Sequence, residues 1–573
     1  SDKHGRLTQT WLDRMASNAI VPTSLGQALT DPAGVQQYVV PSNFASNFAQ
    51  FGAPPDGVGT ARNRNTIEGH APYSNFAPRF GFAWQPLSNG KLVVRGGSGI
   101  FYNRVGLDSV VHAYEQGSPY AATYDYGFLS PRWFSATIAQ PYPQIQLACM
   151  TLDPTCNNPA ELGQGFAPRY ADPSTANNNF FINGKLPVNS GLSTPFVPNA
   201  VHTPLVREYS LGFQYQFAPG WVLDTTYVGS SGINLLDYNH NHNEAQLITP
   251  ATDTYGMCTG TAPNQICNTA VNANFRVPYL GYEASGLQAS DFNGYSNYNS
   301  LQVTVRHQFS HGLTFQAAYT WDKDLSTIFY SDTANINNAL CMSCQYGRVS
   351  FDRPQRFVLN YSYDLPFGKG ATGIEGKLID GWNVSGITIA QGGDPLTFID
   401  PNRAGNAYGT SSTSYLTGVA TAQYCSGSNN SNILASGSIT SKVGLNPTNG
   451  KGYFNLAGFC EAPIVPYGDP VGVPAASVPP ATGFGNSRVG AVLGPGQFNW
   501  DISILKNTKI TERVKMQFRT DFYNAFNHPQ FADPGGGSFG TVGFEDIDSL
   551  ATVAITHTNV NPRLIQFGLH FFF

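Results

Sequence analysis

The stretch REYSLGFQYQF, residues 207–217, alternates between apolar and polar side chains. Its apolar side carries Tyr209, Leu211, Phe213, Tyr215 and Phe217, and its polar side includes Glu208, Ser210, Gln214 and Gln216. Successive side chains of a β-strand point to opposite faces, so this period of two predicts a strand with one apolar and one polar face. The turn APG (218–220) leads into WVLDTTYVG (221–229). Together the two segments predict an antiparallel hairpin.

Nine further segments show a similar alternation, which brings the number of predicted strands to eleven. They cover residues 79–85, 91–102, 300–309, 313–322, 355–365, 382–391, 498–508, 514–524 and 563–573. The segment 382–391 is the weakest, because neither of its faces is cleanly apolar. Residues 1–78 are expected to form a loop or irregular segment with at most one more strand, GVQQYVV (34–40).

Composition restricts the class of protein that these strands can build. Charged residues make up 12% of the chain, against roughly 25% in ordinary soluble domains, whereas Phe and Tyr number 38 and 29. No run approaches the roughly 18 apolar residues of a spanning helix, which excludes a helical membrane protein. The polar faces are too charged for the interior of a β-sandwich. We therefore predict an all-β, antiparallel transmembrane β-barrel, with lipid outside and water inside.

The connections between the predicted strands alternate strictly between short and long. Short connections follow residues 85, 217, 309, 365 and 508, and long ones span 103–204, 230–299, 323–354, 392–497 and 525–562. Bacterial outer-membrane barrels have tight periplasmic turns and long extracellular loops, so the pattern predicts this location for a barrel over residues 79–573. An even strand number is usual for such barrels, and eleven strands suggest that others are missing.

The eight cysteines occur as sequence neighbours within the long connections. The pairs are Cys149 with Cys156, Cys258 with Cys267, Cys341 with Cys344, and Cys425 with Cys460. Locally spaced pairs in polar, Gly- and Asn-rich stretches predict loop-stapling disulfides made in an oxidising compartment. For CMSC (341–344), a redox dithiol or half of a zinc site are alternatives, but the first lacks a βαβ context and the second lacks a nearby ligand pair.

The stretch DYNHNHNE (237–244) is another candidate metal site. Imidazole and carboxylate groups at alternating positions, here His240, His242 and Glu244, can bind a transition metal, although such runs are more often solvated loops. Neither a nucleophile elbow nor a helical HExxH motif is present, so we predict no enzymatic activity and no cofactor. The net charge of −5 and the scattered Lys and Arg residues also argue against nucleic acid as a partner.

Strand parity assigns side chains to the two faces of the predicted barrel. The lumen-facing candidates are Arg95, Arg306, Arg356, Arg519 and Asp521, which hydrate the wall or contact a solute. The lipid-facing candidates on the last strand are Ile565, Phe567, Leu569, Phe571 and Phe573. Outer-membrane lipid is therefore an expected partner of the chain.

Six stretches resemble the C-terminal half of the barrel in Oar-like TonB-dependent receptors, which carry a carboxypeptidase-regulatory-like domain. They are NFAPRFGFAWQP (75–86), KLVVRGGSGIFYNR (91–104), FDRPQRFVLNYSYDLPFGKG (351–370), GFGNSRVGAVLGPGQFNWDISILKNTKI (483–510), RTDFYNAFNHPQF (519–531) and NPRLIQFGLHFFF (561–573). The resemblance implies a 22-stranded barrel, an N-terminal plug and a TonB box that contacts the TonB complex. It also implies that the terminal aromatic residue is a signal for the outer-membrane assembly machinery. We accordingly expect Ser1 to lie in an extracellular loop of a longer precursor.

These observations favour energy-coupled uptake of a solute or polymer by an outer-membrane receptor. A surface-binding or adhesion barrel is the second hypothesis, because long loops can hold a carbohydrate or a partner protein. A passive, porin-like barrel is the third.

Overall fold

The computed structural model describes somewhat more than half of the chain. The described residues are 39–41, 59–61, 75–103, 202–261, 265, 267–268, 276–278, 288–310, 312–328, 341–369, 371, 373–400, 420–444, 452–460, 462, 485–536, 543–547 and 553–573. Residues Cys149 and Cys156 lie outside them, as does most of the possible strand 34–40. Near the start of the chain, Val39–Pro41 pairs in parallel with Gly59–Ala61.

Eleven strands form one large antiparallel sheet. They are β1 (Arg79–Trp84), β2 (Leu92–Tyr102), β3 (Leu205–Ala218), β4 (Trp221–Asn241), β5 (Gln288–Ser310), β6 (Leu313–Ser326), β7 (Gln355–Asp364), β8 (Trp382–Gln391), β9 (Gln497–Lys509), β10 (Lys515–Tyr523) and β11 (Leu564–Phe572). Each strand pairs with its neighbour in the sequence, and the short strand Gly347–Arg348 pairs with the end of β6. The predicted strands and their antiparallel order are confirmed, including the weakest one. Within the described residues β1 and β11 are not paired with each other, so the sheet is open.

The register gives the sheet one apolar face. Phe213 on β3 lies opposite Val94 and Thr225, and Phe567 on β11 lies opposite Thr520. The large side chains on this face are exposed rather than packed into a core, with 57% of Leu211 and 68% of Phe567 accessible. Exposed apolar surface of this extent is typical of contact with lipid or another protein.

Tight turns join the strands on one side of the sheet. Gly220 and Gly312 close the β3–β4 and β5–β6 turns with φ angles of 76° and 83°, a left-handed conformation that favours glycine. The β7–β8 connection is longer than a turn and contains the short helix α1, Gly373–Ile379. No helix in the described part of the chain is long and apolar enough to cross a membrane.

Strands β4 and β5 are much longer than the sequence pattern predicts. They have 21 and 23 residues, so the connection between them covers residues 242–287 and is shorter than the predicted 230–299. Three irregularities in register lie between Ile233 and His240, and Asn234 has a positive φ of 53°. An extra residue in a strand reverses the face of every following side chain, which hides the strand from a search for strict alternation.

A second, small sheet is built from the long connections that follow β8 and β10. Its central strand Pro395–Asp400 pairs with Ala420–Thr421, Val492–Leu493 and Gly543–Asp546. We call this sheet and the segments packed on it the loop domain. Its buried core consists of Leu396, Phe398, Ala422, Tyr424, Ile433, Tyr453, Phe454, Val492, Val553 and Ile555. The loop domain therefore has its apolar side chains inside, opposite to the arrangement in the large sheet.

Candidate functional site

The face opposite the apolar one is polar and carries all five of the residues predicted to face a lumen. Direct pairing places Arg356 between Thr320 and Gln391, and Arg519 between Leu505 and Gly568. Following the same register across the sheet brings Arg95, Arg306 and Asp521 onto this face as well. We call it the polar face. That it lines a lumen remains a prediction.

Charged side chains on the polar face form ion pairs within one strand and between strands. Arg95 Nη2 donates to Asp224 Oδ2 at 2.5 Å, between β2 and β4. Arg519 Nε donates to Asp521 Oδ1 at 2.8 Å, and the hydroxyl of Ser503 donates to the same carboxylate oxygen. A concavity of about 850 Å³ borders this group and is lined by residues that include Arg306, Asn360, Ser385, Asp501, Arg519 and Asp521. The arrangement suits a water-filled or protein-filled interior.

Two histidines and an aspartate converge at the far end of β4 and β5. His242 Nε2 lies 2.7 Å from Asp291 Oδ2, and His240 Nε2 lies 4.0 Å from the same oxygen. The other ring nitrogen of His240, Nδ1, lies 2.8 Å from Asp237 Oδ2. The two imidazole rings are 4.9 Å apart and meet edge to face. One potential ligand atom from each of His240, His242 and Asp291 lies within 4.8 Å of the others.

The irregular register of β4 explains why these side chains meet. In a regular strand Asp237 and His240 would point to opposite faces, but the register shifts between them and lets the two side chains bond. His240 and His242 are two residues apart, which keeps them on one side of the chain. Asp291 enters from β5, where it is the register partner of Asp237.

The structure brings two of the predicted metal-ligand candidates together and places another residue beside them. His240 and His242 lie together, whereas the third member of the cluster is Asp291 rather than the predicted Glu244, which is buried nearby. Asp291 is 49 residues from His242 in the sequence. Only the pairing of β4 with β5 brings it close, and no local motif marks it.

A buried charged cluster lies where three of the long connections meet. Arg353 precedes β7, Asp394 follows β8, and Asp533 belongs to the connection after β10. The guanidinium of Arg353 forms a salt bridge with Asp394, and both carboxylates are almost fully buried. The cluster joins the loop domain to the end of the large sheet.

Three of the four predicted disulfides are present in the described residues. They join Cys258 to Cys267, Cys341 to Cys344 and Cys425 to Cys460. The first lies in the β4–β5 connection, the second lies before β7, and the third ties two segments of the loop domain. The Cys341–Cys344 bond leaves no thiolate at CMSC for metal binding. The fourth predicted pair lies outside the described part of the chain.

The amino-acid sequence of the chain matches the model of one protein family. The sequence fits the model of the outer membrane beta barrel domain over residues 24–566, which is most of the chain. The chain belongs to the outer membrane beta barrel domain family. Its predicted fold class and its location in the bacterial outer membrane, with the extracellular loops typical of this family, are therefore confirmed.

Solved structures of outer-membrane proteins resemble this barrel chain at low identity. The outer membrane transporter YddB from Escherichia coli is 9% identical, with a TM-score of 0.36, over 87% of this chain and 40% of that protein. The siderophore receptor PiuA from Acinetobacter baumannii is 7% identical, with a TM-score of 0.31, over 86% and 35%. The FrpB iron transporter from Neisseria meningitidis is 8% identical, with a TM-score of 0.31, over 87% and 39%. The chain thus spans 40% or less of the length of these proteins. Comparison with curated protein sequences found no match.

In an outer-membrane barrel we expect the histidine cluster to lie beyond the bilayer. A tilted strand crosses the hydrocarbon core in about 9–11 residues, so the last third of the 21-residue β4 projects past it. Burial disfavours the protonated form of His240, but the hydrogen bond to Asp237 and the charges of Asp237, Asp291 and Glu244 outweigh burial. The pKa of His240 is therefore raised above its ordinary value.

The charged cluster under the loop domain of this barrel contains a carboxyl group that is unusually hard to ionise. Burial, together with the adjacent charge of Asp394, raises the pKa of Asp533 to about 8, and the positive charge of Arg353 only partly opposes this shift. At neutral pH Asp533 is thus mostly protonated and can donate a hydrogen bond to Asp394.

Proposed function

We propose that this chain is part of the barrel of an Oar-like TonB-dependent receptor, which takes up a solute or polymer across the outer membrane. The observation that carries the proposal is the charged polar face, which runs across an open sheet of eleven strands. The sequence resemblance described above supports the same assignment. Residues on this face, among them Arg356, Arg519 and Asp521, would contact water, the transported solute or a plug.

The side chains of the polar face need hydrogen-bond partners, which hydrocarbon cannot provide. Unpaired polar groups in a lipid environment each cost several kcal/mol, so a membrane barrel keeps such side chains on its inside. A plug domain within the barrel would supply hydrogen-bond partners and close the passage until energy is delivered. TonB is the proposed source of that energy, through a plug and a TonB box elsewhere in the protein.

The apolar face supplies the remaining proposed contacts. Ile565, Phe567, Leu569 and Phe571 alternate along β11 on the face that we assign to lipid, and Phe573 follows the strand with 95% of its surface exposed. We assign this final aromatic residue to recognition by the outer-membrane assembly machinery. Replacing Phe573 with Ser should then lower the amount of folded protein in the outer membrane without changing its synthesis.

The experiment that tests the proposal uses the full-length protein encoded by the native gene. Its binding to the periplasmic domain of TonB is measured in detergent, and its passive permeability is measured by swelling of proteoliposomes in small sugars. We expect TonB binding and no swelling. Swelling without TonB binding would identify a passive porin instead and would refute the proposal.

The loop domain favours one second candidate, a surface-binding barrel. A segment with its own hydrophobic core and a stapling disulfide offers a rigid surface for a carbohydrate or protein, and uptake is not required for that role. If the experiment above shows no TonB binding and no swelling, the result favours this second candidate. The direct test measures binding of the carbohydrate or protein ligand to the cell surface. Deletion of the loop domain should abolish this binding.

A further inference from the structure

The histidine cluster at the end of β4 has the geometry of a metal-binding site. We propose that His240, His242 and Asp291 bind one divalent transition-metal ion, with Zn²⁺ as the best match, and that Asp237 is a positioning residue for His240. The proposal does not depend on transport by the barrel, because it rests on the donor atoms alone.

The distances from Asp291 to the two histidines lie on either side of the spacing that a tetrahedral ion requires, and all three donor atoms lie within 4.8 Å of one another. Nitrogen and oxygen ligands bound at about 2.0–2.1 Å to a tetrahedral Zn²⁺ lie about 3.4 Å from each other. The two distances from Asp291 Oδ2 are 2.7 Å to His242 and 4.0 Å to His240, which bracket this value. Binding of an ion would require Asp291 Oδ2 to move away from His242 and towards His240.

The contact between Asp237 and His240 matches the support that metal-binding histidines usually have. Such histidines donate their second ring N–H to a carboxylate or carbonyl, which fixes the ring and directs the free nitrogen at the ion. Here Asp237 bonds to Nδ1 of His240, and Nε2 is left facing Asp291. Without this contact the imidazole ring could rotate away from the other two donors.

The electrostatics of the site also favour a bound cation. Asp237 and Asp291 are register partners on adjacent strands, and both carboxylates are largely buried, so their negative charges repel each other. A divalent ion held by two neutral imidazoles and one carboxylate neutralises this charge. Two imidazoles favour Zn²⁺, Cu²⁺ or Ni²⁺ over Mg²⁺ or Ca²⁺, which prefer oxygen ligands.

The site is accessible, and three protein ligands leave a coordination position open. The side chain of His242 is 26% exposed, whereas those of His240 and Asp291 are 11% and 13% exposed, so an ion would enter from the His242 side. Three protein ligands with one open position are typical of zinc sites that also bind water or an exogenous ligand. The fourth ligand would therefore be water or a donor group from outside the protein.

The experiment uses the full chain without a polyhistidine tag, stripped with a chelator and then dialysed. Zn²⁺ affinity is measured by competition with a chromophoric chelator, and the Co²⁺ form is examined by visible absorption. We expect one Zn²⁺ per chain and the absorption bands of tetrahedral Co²⁺. Asp237→Asn should weaken binding by about 10- to 100-fold, and His242→Ala should weaken it further.

His557→Ala is the matched control, because His557 is an exposed histidine in another connection of the same protein. Its affinity for Zn²⁺ should equal that of the wild type. Equal Zn²⁺ binding by the wild type and by a His240→Ala, His242→Ala double variant would overturn the proposal, as would binding of much less than one ion per chain. If the double variant does not fold, the Asp237→Asn affinity and the wild-type Co²⁺ spectrum decide the question.

Discussion

Replacing Leu211 with Arg tests which face of the sheet contacts lipid. Leu211 is the seventh of the fourteen residues of β3, and 57% of its surface is exposed on the apolar face. At a rise of about 3.3 Å per residue and a tilt of about 45°, seven residues advance about 16 Å along the membrane normal. That distance is close to half of the roughly 30 Å hydrocarbon core, so the new charge would lie near the bilayer midplane.

The expected loss of unfolding free energy in Leu211→Arg is in the upper part of the range known for an Arg on the lipid face. An Arg on the lipid face costs about 2–4 kcal/mol at the midplane. The register partners of Leu211 are Gly96 and Tyr227, so neither adjacent strand offers a carboxylate directly opposite the new charge. We therefore expect Leu211→Arg to lower the free energy of unfolding by about 3–4 kcal/mol.

Gln214→Arg on the polar face of the same strand is the matched control. Gln214 lies opposite Asp224, so the new guanidinium would share with Arg95 a carboxylate on the polar face, and we expect a change within about 0.5 kcal/mol. Both variants of the full-length protein are folded into phospholipid vesicles, and their unfolding is followed in urea. Equal costs, or a larger cost for Gln214→Arg, would refute the assignment of the two faces.

Three further predictions concern the loop domain. The pKa of Asp533 is about 8 in the folded protein and 3.8 in the unfolded chain. Its contribution to stability is therefore complete below pH 3.8 and is lost as the pH rises through 8. Proteolysis of the loop domain should accordingly be faster at pH 9 than at pH 5. Phe398→Ala removes a ring whose centroid lies 4.6 Å from that of Phe459, and should destabilise the loop domain by about 3–5 kcal/mol in urea. Reduction of the Cys425–Cys460 disulfide, which spans 35 residues, should cost about 4 kcal/mol by the same assay.

Each of these predictions has a control within the same molecule. Asp533→Asn cannot ionise, so its proteolysis rate should change much less between the two pH values. The strand signal of the large sheet in circular dichroism should persist in Phe398→Ala, because the ring lies in the core of the loop domain. Reduction of Cys341–Cys344, with a separation of only 3 residues, should cost much less than reduction of Cys425–Cys460. A loss of strand signal in Phe398→Ala would show that the two parts do not fold separately.

Local periodicity in the sequence is sufficient to predict the large sheet. Strands such as β3 expose the large side chains of their apolar face and alternate regularly, because lipid and water select opposite residue types at successive positions. The second half of β4 and the first half of β5 do not show this signal. They extend past the bilayer, and the register shifts near Asn234 change which side of the strand each residue occupies.

The loop domain and the histidine cluster depend on contacts that sequence alone does not reveal. The strands that flank Pro395–Asp400 have two to four residues each and come from segments up to about 150 positions apart, so no periodic pattern can develop in them. The histidine pair is visible as a local motif, because His240 and His242 are close in the chain. Asp291 becomes its neighbour only through strand pairing, and we therefore found it only in the structure.

A strand that contacts lipid and a segment that folds in water are separated by only a few residues of this chain. Strand β8 ends at Gln391 with neighbours that need a bilayer, and Pro395 begins a segment whose apolar side chains need to be kept away from water by one another. Loss of the lipid should thus make the strands of the large sheet aggregate through their exposed aromatic rings, while the loop domain stays folded. A detergent used to purify this protein therefore has to cover the apolar face of the large sheet, and a mild detergent that leaves the hydrophobic core of the loop domain folded is the appropriate choice.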